Sequence, residues 1–337
     1  MPRRTPTFKP LVDLTSLNKA VAACDIVFPS QAPTSPDDVS IYRYRNIRGG
    51  FLFYSKAETL KYIIQFAFYS GLRIEEITDL KIGNVFYDRG IWIAVRGDRK
   101  TKNSIRNIPL SLLAPIEFID DFSKYIERRK FNSDFEFSLF AFTEGNQILD
   151  LDPRQTSKEI KRVFEFIGRP DATTHHLRHA FANWFILKWF TAFHRELIPD
   201  DTPFLNYDMF HQYHLDSLRY LLLGEGRPRK GQNTFTYALA ALARLMGHGG
   251  PIITLEAYVH VVDWLLYCIN KKTENEKAMS LSVKKLSYFC QVSEETIREL
   301  IKADNIDLAK VTPSQLLDAQ RSYLSSVVSG YRFSKTR

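Results

Sequence analysis

Cysteine is scarce in this chain, with only Cys24, Cys268 and Cys290, odd in number and scattered. That excludes a disulfide framework, and no pair has metal-binding spacing, so a reducing intracellular compartment is expected. No apolar run is long enough to span a bilayer, and the N-terminus has no signal-peptide hydrophobic region. No membrane partner is therefore expected, and a cytoplasmic location is. Internal repeats and low-complexity tracts are absent as well.

What is present is an ordinary globular composition with a basic excess. The 337 residues are 45% hydrophobic and 25% charged, enough for about two domains or one large domain with an appendage. The net charge is +8 and the isoelectric point about 9.2. This favours a polyanionic partner, although a basic solvated surface accounts for it equally.

Residues 1–50 read as an arm broken by Pro2, Pro6, Pro10, Pro29, Pro33 and Pro36, with a short helix between Ser16 and Cys24. Ser55 and Glu58 form a capping box for a helix carrying Leu60, Ile63, Ile64 and Ala67. Gly71 ends that helix, and Gly71-Leu72-Arg73-Ile74-Glu75-Glu76-Ile77 opens the next. Arg73 then lies at the junction, where pairing with Glu76 is the simplest role for it. Ile91, Ile93 and Val95 alternate ahead of a basic tip, Arg96 to Ser104, and a return from Ile105 to Leu110, which reads as a β-hairpin. Leu139 to Leu151 is expected to be a connecting segment.

Two stretches carry more chemistry. Thr173-Thr174 caps a helix that begins with His175-His176-Leu177-Arg178-His179. His175 and His179 are spaced like a zinc pair, but no Glu lies between them and Arg178 opposes a bound cation. In the second stretch, a helix-forming run from Thr236 to Arg244 leads into Leu245-Met246-Gly247-His248. Gly247 is placed to end that helix, which leaves His248 at a helix terminus. After a Gly-Gly-Pro turn, Thr254 to Tyr258 opens another helix, and a phenol and an imidazole reach one cleft. Alone, this also fits a helix hairpin with a stacked tyrosine and a capping histidine.

Taken together, Gly-Leu-Arg with an acid three positions on, the hairpin lysine, His-x-x-Arg, and Leu-Met-Gly-His followed by Tyr258 resemble the tyrosine recombinase (phage integrase) family. The resemblance covers roughly residues 51–265. It implies a mainly α fold with a small antiparallel β-sheet: a catalytic domain over 51–270 with a helical C-terminal appendage over 271–337. The arm is too short for the family's usual DNA-clamping domain. The spacing between the His-x-x-Arg box and His248 implies an insertion at about 191–234. Within it, Gly224 to Gly231 is a basic glycine loop without P-loop spacing, and His211 and His214 read as surface or packing residues.

Carried over residue by residue, Arg73 and Arg178 hold a scissile phosphate, Glu76 buttresses the site, and Tyr258 is the nucleophile. Lys100 is the proton donor to the leaving oxygen, with Lys102 close enough to be confused with it. His175 and His248 position and share protons, and His179 is structural. Further DNA contacts are expected from Arg99, Lys102, Arg106, Arg227, Arg229 and Lys230. No metal and no cofactor is implied. The implied partners are double-stranded DNA, a synaptic tetramer of the chain on DNA and possible companion recombinases, in a nucleoid-associated setting. Leu281 to Phe289 and Glu294 to Lys302 suggest a helix-turn-helix or a plain helical hairpin. Glu294 and Glu295 oppose phosphate and favour protein contact there. Three other functions share these features: a type IB topoisomerase, a non-catalytic DNA-binding protein, and a metallohydrolase built on the histidines.

Overall fold

The computed structural model describes residues 12–29, 55–96, 105–132, 135–144, 147–198, 200, 202–224 and 234–259, with positions 261, 283, 294, 295, 298 and 302. Arg99, Lys100, Lys102, Arg227, Arg229 and Lys230 lie outside the described residues, as does nearly all of the 281–302 hairpin. The chain divides into two compact units. One comprises Met1–Phe193, Phe204–Lys230 and Thr234–His260; the other comprises His194–Pro203, Gly231–Asn233 and Val261–Arg337. In the second, Arg195 donates to the Ile198 carbonyl at 3.0 Å and to Asp200 at 2.8 Å. Arg73, Glu76, Arg106, His175, Arg178, His248 and Tyr258 all belong to the first.

The first unit is mainly α-helical around a small antiparallel sheet. Its centre is α7, Thr174–His194, buried along nearly all of its length. The sequence from Leu177 to Phe190 is apolar on almost every face, and a helix of that kind has to be surrounded. Helix α1, Leu14–Val27, packs on α2, Lys56–Ser70, and on α6, Pro153–Phe166. It is longer than the Ser16–Cys24 stretch and starts at Asp13, whose carboxylate accepts from the Ser16 amide.

Ser55 caps α2 as its spacing predicts, and Gly71 ends it with φ +66°. A side chain at Gly71 would meet strain from that φ and also fall 2.2 Å from the Phe181 ring. Short helix α3, Ile74–Thr78, follows directly. The three-stranded sheet has the order β1 (Val85–Tyr87), β2 (Ile91–Val95) and β3 (Arg106–Pro109). In its register Val95 faces Arg106 and Ile93 faces Ile108. Side chains alternate along a strand, so Arg106 shares the inward face with Ile108 while Ile105 points out.

After α4 (Leu110–Leu113), α5 (Ile116–Asn132) lays Phe118 against Tyr69, Phe122 against Phe66, and Tyr125 against Phe140. Offset and edge-on ring contacts of this kind add to plain area burial. The segment expected to be a plain connection forms a hairpin, β4 (Ala141–Glu144) with β5 (Gln147–Asp150). The Thr59 hydroxyl donates to the Ala141 carbonyl at 2.9 Å and holds that hairpin to α2. Local alternation there was too short to signal strands, and tertiary pairing decided them.

Residues of the expected insertion pack onto α7 through Phe204, Tyr207 and Phe210, which surround Trp184. Helix α8, Gln212–Leu223, then runs beside α4 and α9, Thr234–Leu245. Under this layer Lys188 is buried at 3% exposure, and its Nζ donates to the Leu113 carbonyl at 3.4 Å. Asp208 faces it electrostatically and also accepts from His214 Nε2 at 3.0 Å. Burial lowers the Lys188 pKa to about 8, and Asp208 offsets only part of that.

The folded state therefore binds this proton less well than the unfolded chain. The associated cost is present in full below about 8 and disappears as pH rises to the ordinary 10.5. Lys188→Met keeps the volume and removes the charge. Thermal melts should show it more stable than the natural chain by on the order of 1–3 kcal/mol at neutral pH. The gap should close above pH 10.5.

Candidate active site

Three helix ends converge on one charged cluster. At the end of α9, Gly247 takes φ +66°. The His248 amide then donates to the Ala243 carbonyl and the Gly247 amide to Arg244, a Schellman arrangement. This closure fixes where the His248 backbone leaves the helix. Pro251 starts α10, Pro251–Tyr258, and Tyr258 is its last residue. Arg73 caps α3, and its amide donates to Glu76 Oε2 at 2.8 Å.

Glu76 is buried, at 2% exposure. Arg106 grips it with two guanidinium nitrogens, at 3.0 and 2.9 Å, and donates from Nε to the Leu245 carbonyl at 2.7 Å. Burial alone would raise the Glu76 pKa, but the Arg106 hydrogen bonds and charge, with the Arg73 amide, hold it below the usual carboxylate range. Arg106 is thus a correction to the expectation of a DNA contact. Alternation along β3 turns it inward, and its fork is committed to Glu76 and to the end of α9. Glu76 lies between the Arg106 guanidinium and the Arg73 amide, and the sheet register is the signal that assigns Arg106 to it.

Arg178 is buried at 2% exposure. Its Nη1 donates to the Gly71 carbonyl, and its Nη2 donates to the Met246 carbonyl and to His248 Nε2, the last at 2.9 Å. Its Nε–H, also buried, makes no hydrogen bond. Burial first, and then the positive charge of Arg73, lower the Arg178 pKa to about 10, so it stays charged at neutral pH. The Arg73 guanidinium is 40% exposed and stands 3.4 Å from Glu76. Three guanidiniums thus face one buried carboxylate, and the cluster keeps a surplus of positive charge.

Arg178 has only donors, so His248 Nε2 must accept, and the proton of the neutral ring sits on Nδ1. Nδ1–H donates to Thr254 Oγ1 at 2.8 Å, and Thr254 is fully buried. Burial, then Arg178, Arg73 and Arg106, lower the His248 pKa from 6.5 to about 4. His248 is therefore neutral at physiological pH. Thr254 was not singled out as a partner for His248. A polar residue after Ile252-Ile253 is the signal that could have found it.

Around the Tyr258 ring stand His179 at 4.5 Å, stacked, His248 at 4.9 Å and His175 at 5.5 Å. The Arg178 guanidinium carbon lies 5.4 Å from the same ring centre. The structure therefore brings Arg73, Glu76, His175, Arg178, His248 and Tyr258 together. His175 and His179 meet edge to face at 4.5 Å against Tyr258. Among the described residues no group of histidines, cysteines and carboxylates could hold a metal ion. No described helix is long and apolar enough to cross a membrane. A cluster with excess positive charge beside a phenol can hold a phosphate-like anion and present it to an oxygen nucleophile.

Residues 50–189 match the phage integrase family. That span carries Arg73, Lys100, His175 and Arg178, and His248 and Tyr258 lie beyond it. The chain is 32% identical over 122 residues to a protein named tyrosine recombinase XerA from Pyrococcus horikoshii, covering 36% of this chain and 39% of that protein. It is 30% identical over 123 residues to the protein of the same name from Pyrococcus furiosus, covering 36% and 38%. The matched segment thus spans about two-fifths of the length of these curated relatives. Among solved structures, a crystal structure of XerA recombinase aligns with a TM-score of 0.45 at 16% identity, covering 83% of this chain and 68% of that one.

The lowered His248 pKa sets an acid-side dependence. The unfolded chain takes up this proton below about 6.5 and the folded chain only near 4, so the stability is complete above 6.5 and lost as pH falls to about 4. His248→Asn removes that titration while other groups are shared. The melting-temperature difference between the two proteins should shrink steadily between pH 6.5 and 4. A constant difference across that range would contradict the assignment.

Proposed function

We propose that the chain, which is similar to the phage integrase family over residues 50–189, is a tyrosine recombinase that cuts and rejoins DNA at specific sites through a 3′-phosphotyrosine intermediate, in the integration or excision of a mobile element. The observation that carries this reading is the surplus positive charge around Arg178, with its unspent Nε–H, beside the Tyr258 phenol.

A DNA phosphate entering the pocket meets Arg73 from the solvent side and Arg178 from below. Their fixed charges stabilise the five-coordinate phosphorus that forms when Tyr258 attacks in line. An ordinary phenol titrates near 10, so the proton must leave during attack. His248 is a poor acceptor for it, because Nε2 is held by Arg178 and the ring resists protonation. His175, whose ring lies 5.5 Å from that of Tyr258, is the better acceptor. His248 then serves to hold Arg178 in orientation.

Lys100 delivers a proton to the departing 5′-oxygen. The phosphotyrosine conserves the bond energy, so a 5′-hydroxyl of another strand can reverse the step without fuel. DNA is held chiefly by phosphate contacts, to which the basic tip around Arg99 and Lys102 and the loop at Arg227, Arg229 and Lys230 contribute. Strand exchange requires a synaptic tetramer, with the 271–337 tail joining neighbouring protomers. Other recombinases can share that assembly.

The test of the nucleophile is capture on nicked duplex DNA carrying the element's ends. Tyr258→Phe should form no denaturant-stable adduct while binding duplex within about threefold of the natural chain. An adduct formed by the phenylalanine variant would overturn the assignment. The acid is tested with a substrate whose leaving oxygen is replaced by sulfur, which needs no proton. Lys100→Ala should be slow on ordinary DNA, by on the order of 10²-fold or more, and recover on the sulfur substrate. Recovery by Lys102→Ala in its place would move the role to Lys102.

A further inference from the structure

We propose that Asn183 is a positioning residue for Tyr258, tethering the backbone of the attacking residue to the helix that carries Arg178. The inference rests on the strand-transfer reading above for its catalytic consequence, and on geometry for the tether itself.

A helix leaves its last carbonyls without partners. Helix α10 is only eight residues long, and the chain turns extended at Val259 immediately after Tyr258. The Tyr258 carbonyl therefore needs an outside donor. Asn183, at 0% exposure, supplies it: Nδ2 donates to the Tyr258 carbonyl at 2.8 Å and to the His179 carbonyl, one turn back on α7, at 2.6 Å. An amide is costly to bury unless its groups are paired, and here pairing spans two helices.

The ring is held from the same face. His175, His179 and Asn183 stand four residues apart, so they line one stripe of α7. His179 stacks on the Tyr258 ring at 4.5 Å and 29°, and His175 meets it edge-on at 5.5 Å. Main chain and ring of Tyr258 are thus both referenced to α7, one turn beyond Arg178. The phenol oxygen and the anion-holding guanidinium share one rigid support, which is what in-line attack requires. Losing the amide donor frees the end of α10 without touching the phosphate contacts.

The experiment uses the full chain. Asn183→Leu keeps the size and removes the donors. Asn183→Asp removes them at neutral pH, and its protonated form regains one as pH falls. Duplex affinity and single-turnover adduct formation are measured on a pool of nicked duplexes of randomised sequence. Asn183→Leu should bind within about threefold of the natural chain and cleave about 10²-fold more slowly. Asn183→Asp should recover relative to Asn183→Leu as pH falls.

The tether is also read without DNA. In chains grown with 3-fluorotyrosine, the Tyr258 resonance is identified by its loss in Tyr258→Phe. It should be shifted and ordered in the natural chain and move towards the position of exposed tyrosines in Asn183→Leu. A Tyr258 resonance already averaged in the natural chain overturns the proposal even if the variants fail to fold. So does an unchanged resonance in Asn183→Leu, cleavage at the natural rate by that variant, or a loss of cleavage that only follows a loss of binding. Should the natural chain form no adduct on any duplex, the strand-transfer reading fails, and the fluorine comparison still decides the tether.

Discussion

The Arg178 guanidinium is the contact on which the rest of the site depends. It joins the end of α2 at Gly71 to the end of α9 at Met246 and the imidazole of His248 just after it, two stretches far apart in sequence. A charge this deeply buried needs partners for most of its protons, and carbonyls released at helix ends are well suited to engage those on Nη1 and Nη2. The two glycines that end α2 and α9 are therefore part of the electrostatics. Each takes a left-handed conformation that opens the carbonyl end of its helix towards the arginine.

Around that contact, charge is distributed unevenly by design of the fold. Glu76 is the single buried carboxylate of the cluster, and Arg106 occupies both of its oxygens. Arg73 is left half exposed at its edge. The consequence is a pocket whose positive field is compensated only in part. In such surroundings an imidazole resists protonation, and His248 becomes a neutral acceptor locked by Thr254. The same field that silences His248 as a base favours an anion and a developing phenolate.

Helix α7 unites packing and chemistry. Its apolar circumference places it at the centre of its unit, and residues from the expected insertion cover its second half through the rings around Trp184. Its first turns carry His175, Arg178, His179 and Asn183, which face the site. A buried Lys188 farther along is tolerated at a cost in stability.

Much of this was legible in the amino-acid sequence because it is local. The cap at Ser55, the left-handed glycines at 71 and 247, the helix opening at Thr174 and the alternation of Ile91, Ile93 and Val95 follow from dihedral preference and periodicity alone. The motifs that contain Arg73, His175, Arg178, His248 and Tyr258 carry the resemblance to the tyrosine recombinase family without any geometry. Tertiary structure alone decided the partners. Whether Arg106 faces solvent or Glu76 depends on which side of β3 meets the core. Whether His248 donates or accepts depends on Arg178, seventy positions earlier, and on burial that sets its charge. The link from Asn183 to Tyr258 joins residues 75 positions apart, and no local pattern encodes a hydrogen bond across that distance, because it exists only once two helices have been packed together.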